Sequence, residues 1–526
     1  MQPDQSTIVS PLAPPTRANR LMLRKTTADV EAEINTHGLK RTLGPMHLMM
    51  LGVGATIGAG IYVMTGTAAA DYAGPAVLLS FLVAGLACAF TALSYGELAS
   101  VMPVSGSAYT YAYVAVGEVF AWTTGWLLLL EYGISTAAVA SGFSGYATSL
   151  LGDFGLHIPG WMHTPMIQTT AGGTGLVWTG GLDLVATLAS ILATIVLVIG
   201  VSESATVNSV IVVIKVSVLV LFTVLGVSAI NPANWHPFIP PSQGNFHFGV
   251  PGIFRAASVI FFAYVGFESV SCAAAEARNP KRDVPIGIIG ALGICTVTYI
   301  CVAAVLTGIV PYGKLGVPDP LAIAVDAMGR PWLAILIKLG AVTGICSVML
   351  VLLYGQSRIF FTMSRDGLLP EIFHRLHPRF RTPWLGTIAI GLATATAAAT
   401  LPIDIISDLV SLGTAVAFGI VSFTVIWQRN AHPEIVPPFP VPLGGLRIRG
   451  VWVGIVPSLG ILFCLIMAAP LLLGMASALF GGNPVPALLL LAYAVLGVVT
   501  YLAYGLRHST LARTVAGQPA ERSSTP

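Results

Sequence analysis

Gly52-Val53-Gly54-Ala55-Thr56-Ile57-Gly58-Ala59-Gly60 interrupts an apolar run that extends from 44 to 66. Four glycines in nine residues fall where a membrane helix would otherwise be continuous. Farther along, Phe262-Ala263-Tyr264-Val265-Gly266-Phe267-Glu268-Ser269 sets a glycine and a glutamate inside a second apolar run, 251–275. A helix broken at membrane depth frees N–H groups that can hold an anion and C=O groups that can hold a cation. Such groups persist in lipid only where they line a cavity or meet a ligand.

Working outward, a span needs about 20 apolar residues. The 526-residue chain has twelve such stretches: 44–66, 75–101, 117–150, 182–201, 205–230, 251–275, 285–310, 332–362, 384–402, 405–428, 450–475 and 485–506. They are called spans 1 to 12 below. The interrupted pair are spans 1 and 6, which are equivalent positions if the first ten spans form two five-helix halves. Interruptions at matching places in two inverted halves point to a transporter binding site. The expected fold is therefore an all-α integral membrane protein of about 12 transmembrane helices. Its parts are a tail at 1–41, an inverted-repeat core at 42–430, two more helices within 431–506, and a tail at 507–526. The first tail has no apolar h-region and does not read as a signal peptide.

Composition agrees. Hydrophobic residues make up 55% and charged residues only 9%, against roughly 25% charged in soluble domains. So few charges cannot clothe a water-facing surface, which makes lipid the solvent. A net charge of +3 is too small to suggest nucleic acid as a partner. The six cysteines (Cys88, Cys272, Cys295, Cys301, Cys346, Cys464) all lie in apolar segments without CxxC or Cys/His spacing, so no disulfide framework, metal or cofactor is indicated. Histidines are scattered and mostly in loops, which argues against an enzyme site. Charge rings and filter repeats, the marks of a channel, are not visible.

Orientation follows from Lys and Arg. Twenty of them fall on one side, in the tails, in the loops after spans 6 and 10 and around the loop after span 8, whereas Lys314 and Arg330 alone fall in loops of the other. By the positive-inside rule both termini are cytoplasmic, and the chain is a multi-pass protein of the cell membrane.

The glycine run of span 1 loosely matches a dinucleotide fingerprint, but no strand precedes it. Two readings remain: a close helix-packing face, or an unwound backbone that binds an anion. Lys215 lies in mid-span, about ten residues or 15 Å by helical rise from either interface, too far for its stem to snorkel comfortably. An intramembrane charge there is a functional candidate. Lys338 is nearer the outer end of span 8 and reads as snorkelling. Glu131 in span 3 and Glu268 after the span 6 interruption each fit a cavity-facing carboxylate that either pairs a cationic substrate or relays a proton, against a structural hydrogen bond to a neighbouring helix. Asp404 and Asp408, at the start of span 10, read as interfacial caps. Phe262 fits an aromatic lid or plain packing.

Several motifs together carry a resemblance. Gly52 to Gly66, Ser94-Tyr95-Gly96-Glu97-Leu98, and Pro103-Val104-Ser105-Gly106-Ser107-Ala108-Tyr109 resemble the amino acid–polyamine–organocation transporter superfamily. The stretch Phe261 to Glu268, Arg278-Asn279-Pro280-Lys281-Arg282-Asp283-Val284-Pro285, and Ser364-Arg365-Asp366-Gly367-Leu368-Leu369-Pro370 resemble its cationic amino acid transporter branch. The resemblance covers Thr42 to about Arg429. It implies a LeuT-like 5+5 inverted repeat plus two extra helices, and a secondary transporter that moves amino acids by alternating access. Proton symport is the implied coupling, with amino acid or polyamine exchange as the alternative.

The resemblance also implies that N–H groups of Ala59 and Gly60 meet the substrate carboxylate, and that carbonyls of Thr56, Phe262 and Val265 meet its amino group. Lys215 then matches a lysine that stands in for a bound sodium ion and implies proton coupling. A glutamate is also usual at the position of Glu131. The partners implied are an amino acid, a proton and the lipid bilayer. The branch usually has Gly-Phe-Asp where this chain has Gly266-Phe267-Glu268, and Glu-Glu where it has Ala275-Glu276. Both differences lie near the solute path, so whether the substrate is cationic stays open.

Overall fold

The computed structural model describes residues 23–25, 41–104, 106–169, 175–200, 205–481 and 483–515. Most of the two expected tails, including Arg17, Arg20, Lys40 and Arg522, lies outside the described residues. Among the described residues, nine helices are long and apolar enough to cross a membrane. Two shorter apolar helices, Leu184–Ile199 and Trp384–Thr400, coincide with spans 4 and 9, and Pro45–Thr56 forms the first half of span 1. Each of the twelve predicted stretches thus coincides with helix, and the chain is a multi-pass helical membrane protein. The all-α expectation needs one small correction. Two short antiparallel hairpins, Ile167–Thr169 with Leu176–Trp178 and Gly445–Ile448 with Val451–Gly454, occupy the loops after spans 3 and 10.

Both interruptions break the helix. In span 1 the α-helix Pro45–Thr56 ends at Ile57, whose backbone is extended (φ −74°, ψ 94°). The chain resumes at Gly60 as a wide-turned helix, Gly60–Met64. In span 6 the α-helix Gly249–Ile260 tightens into Phe261–Tyr264, stops at Val265 (φ −56°, ψ 130°), and restarts as Phe267–Glu276. The link is Gly266 at φ +120°, a conformation open essentially to glycine alone.

The two breaks cross. A Cβ on Gly60 would lie 2.3 Å from the Ala263 Cα, and one on Gly266 would lie 2.7 Å from the Ala55 carbonyl. Gly52 meets Ala291 of span 7 just as closely, at 2.7 Å. The glycines therefore do both jobs that the sequence left open: they let the chain unwind, and they let two backbones touch.

Around this crossing the helices form two groups. Spans 1, 2, 6 and 7 pack on one another, as do spans 3, 4, 8 and 9. Span 5 lies against spans 1, 7 and 8, and span 10 against spans 2, 3 and 6. Span 10 is tied to the first group near both ends. Arg255 of span 6 donates bidentately to Asp408 at 3.1 and 2.6 Å, and Arg429 donates to both oxygens of Glu97 in span 2 at 2.7 Å.

The crossing gives a direct stability test. Gly60→Ala forces a methyl into the backbone of span 6, and overpacking of this kind costs on the order of 1–3 kcal/mol. Gly293 in span 7 faces nothing within 4 Å, so Gly293→Ala should leave the melting temperature unchanged or raised. Equal melting temperatures for the two purified variants would contradict the close crossing.

Candidate functional site

Where the breaks cross, they leave a small cavity. Span 1 contributes Ala55, Thr56, Gly58, Ala59 and Gly60, and span 6 contributes Phe262 and Val265. The walls are completed by Ser135 and Val139 of span 3 and by Val348 and Leu352 of span 8. Among the described residues, no charged side chain lines it. Thr56, Ala59, Gly60, Phe262 and Val265, the five residues expected to touch substrate through their backbones, all meet here. The wall residues Ser135, Val139, Val348 and Leu352 escaped the sequence reading, because a valine or leucine in an apolar helix looks the same whether it faces lipid, core or ligand.

The backbone at the break has distinct ends. Ala59 and Gly60 sit in the first turn of the restarted helix, where N–H groups have no acceptor one turn earlier in the same helix and the helix dipole favours negative charge. The Thr56 hydroxyl is already used, donating to the Gly52 carbonyl at 2.7 Å. Besides the lone pairs of that hydroxyl, Thr56 can offer a ligand its carbonyl, as can the apolar Phe262 and Val265.

Lys215 stands behind the break rather than in the cavity. It is 1% exposed, and its ammonium donates to the carbonyls of Gly54 at 2.6 Å and Ile57 at 3.1 Å. The Ser347 hydroxyl of span 8 is 3.4 Å away. In an unbroken helix those two carbonyls would accept from residues 58 and 61. The lysine supplies donors that the interruption removed, and it joins span 5 to spans 1 and 8.

Neither glutamate lines the cavity. Glu131 lies one turn before Ser135 on the same helix, within the wide-turned segment Leu129–Ile134. It is fully buried, and neither of its carboxyl oxygens has a hydrogen-bond partner among the described residues. Glu268 is its neighbour and accepts from the Gly266 N–H at 3.2 and 3.0 Å, which ties it to the turn that restarts span 6. The hydroxyls of Tyr95 and Tyr132 and the amide of Gln356 are likewise buried without a partner among the described residues. Together these groups make a polar layer beside the cavity.

Other charges find partners that the sequence reading did not assign. Lys338 does reach toward one end of its span, but it ends on Asp153, at 2.6 Å. Asp408 is an ion-pair partner of Arg255 rather than a helix cap, and Asp404 accepts from the Thr169 hydroxyl at 3.2 Å. Arg255 is also stacked 5.1 Å over the ring of Tyr72, which lies between spans 1 and 2. It is a basic residue inside an apolar stretch, which was the available signal, but its acidic partner lies 153 residues away.

Residues 43–500 match the amino acid permease family. The methylthioribose transporter of Bacillus subtilis is 44% identical over 422 residues, covering 80% of this chain and 88% of that protein. The branched-chain amino acid permease BcaP of the same organism is 40% identical over 484 residues, covering 92% and 97%. The vacuolar cationic amino acid transporter 4 of Arabidopsis thaliana is 39% identical over 421 residues, covering 80% and 68%. With the family match embracing both broken helices and every wall of the cavity, the chain belongs to the amino acid permeases of the amino acid–polyamine–organocation superfamily.

Proposed function

We propose that this permease imports neutral aliphatic amino acids together with protons, by alternating access, across the plasma membrane with both termini cytoplasmic. The observation that carries this reading is the cavity at the helix crossing: backbone groups of both polarities, and walls without a charged side chain. Spans 1 to 10, within 42–430, form the transport core, and the helices of 431–506 flank it.

The substrate carboxylate accepts from the Ala59 and Gly60 N–H groups, at the positive end of the restarted helix. Its ammonium donates to the carbonyls of Thr56, Phe262 and Val265. The side chain then lies among Val139, Val348 and Leu352. A cationic side chain would find no carboxylate among these walls, and burying an unpaired charge costs several kcal/mol. The length-spanning similarity to a relative named as a branched-chain amino acid permease supports the same choice.

Lys215 and Glu131 supply the coupling. A charged Lys215 holds the Gly54 and Ile57 carbonyls and with them the first half of span 1. When it gives up its proton it has fewer donors to hold them, and that half is free to swing. Glu131, fully buried beside the Glu268 carboxyl, is the group best placed to take and return a proton beside the cavity.

Two measurements follow. In liposomes, uptake of labelled leucine should accelerate when the outside is acid and should not change when potassium replaces sodium. Lys215→Met should abolish the gradient-driven part, whereas sodium-dependent uptake by the unmutated protein would contradict proton coupling. In competition assays, valine, isoleucine and leucine should block that uptake. Lysine and arginine should compete at least tenfold less well, given a penalty above 1.4 kcal/mol for an unpaired charge. Strong competition by arginine, or by methylthioribose in place of amino acids, would overturn the assignment.

A further inference from the structure

Tyr299 belongs to neither broken helix yet touches both. It lies in Pro280–Ile309, the helix of span 7, and is fully buried. Its hydroxyl donates to the Thr56 carbonyl at 2.9 Å and to the Ala263 carbonyl at 3.0 Å. The first acceptor is in the break of span 1 and the second in the tightened segment of span 6. The ring is held in place: Tyr264 packs edge-on at 5.5 Å between centroids, and Phe81 lies at 5.6 Å. Besides the two carbonyls, the hydroxyl has among the described residues only a weak acceptor as a neighbour, the Cys295 thiol one turn earlier on the same helix.

A phenol has one proton, and here it faces two carbonyls. That proton is divided between them, and neither carbonyl has a full hydrogen bond from it. The Thr56 carbonyl is also one of those assigned above to the substrate's ammonium. We propose that Tyr299 is a positioning residue that yields the Thr56 carbonyl to the substrate ammonium and commits its own proton to Ala263, so that occupancy of the site is passed from span 1 to span 6. This rests on the ammonium site described under the proposed function. The handover needs no movement of the ring, only a change in the direction of one O–H bond. It tightens span 6 onto span 7 only when an amine-bearing ligand is present.

Tyr299→Phe keeps the ring and removes the proton. The ammonium then no longer shares the Thr56 carbonyl. Affinity for leucine, measured by calorimetry on purified protein, should stay the same or tighten by roughly 2- to 10-fold, the worth of one net hydrogen bond. Affinity for 4-methylpentanoic acid, the same molecule without the amine, should not change. Turnover in liposomes, per folded molecule, should fall about tenfold or more, because occupancy of span 1 no longer reaches span 6. Equal shifts for leucine and the deaminated acid, or an unchanged turnover, would show a merely structural tyrosine and overturn the proposal. If the unmutated protein binds the two ligands equally, the ammonium site at Thr56 is itself wrong, and the handover falls with it. Should Tyr299→Phe not fold, 3-fluorotyrosine at position 299, a stronger donor, must weaken leucine binding and leave the deaminated acid unaffected; no difference between the ligands would again overturn it.

Discussion

A helix that breaks inside a bilayer must find new partners for the backbone groups it frees, and no water is at hand to supply them. Here the debt of span 1 is met by side chains from three other helices. Lys215 of span 5 serves Gly54 and Ile57, Tyr299 of span 7 serves Thr56, and Tyr146 of span 3 donates to the Tyr62 carbonyl at 2.8 Å. In span 6, Glu268 accepts from Gly266 and Tyr299 serves Ala263. Each of these contacts crosses from one element to another or from a break to its own restart. The break therefore holds its shape only while its neighbours stay in register. That gives the neighbours, and Lys215 in particular, leverage over its geometry.

The same scarcity of water explains how the remaining charges are used. Arg255 with Asp408, Arg429 with Glu97, and Lys338 with Asp153 each join two helices near the end of a span. Leading into span 3 from the other direction, the buried pair of Lys25 and Asp366 brings a short piece of the N-terminal tail to the end of span 8, where Tyr109 also donates to Asp366 at 2.6 Å. Breaking one partner of such a pair leaves a poorly solvated charge, so these ties resist small displacements. Glu131 differs from all of them. It is fully buried with another carboxyl, Glu268, rather than a cation as its neighbour.

How far this was readable from the sequence depends on the kind of signal. The breaks were visible because glycines and a glutamate stand out against apolar runs, and Thr56, Ala59, Gly60, Phe262 and Val265 line one cavity. Lys215 was visible because a mid-span charge is conspicuous, although its grip on two carbonyls is a matter of three-dimensional placement. Val139, Val348, Leu352 and Tyr299 carry no such contrast. Their importance comes from which face of the helix meets the crossing, and helices apolar on every side do not reveal a face by periodicity. The partners of Arg255 and Lys338 were hidden for a related reason: the acidic residues lie in distant spans, and only packing decides which of them arrive.

What everything else turns on is whether the restarted helix of span 1 grips a carboxylate. Competition between leucine and leucinamide for leucine uptake, at a pH where both amino groups are charged, tests this most directly. The two ligands share the side chain and the ammonium, and differ only in the group that would face Ala59 and Gly60. Charge-assisted hydrogen bonds are about twice as strong as neutral ones, so the amide should compete far more weakly than the acid. Equal competition would contradict a carboxylate site at the break.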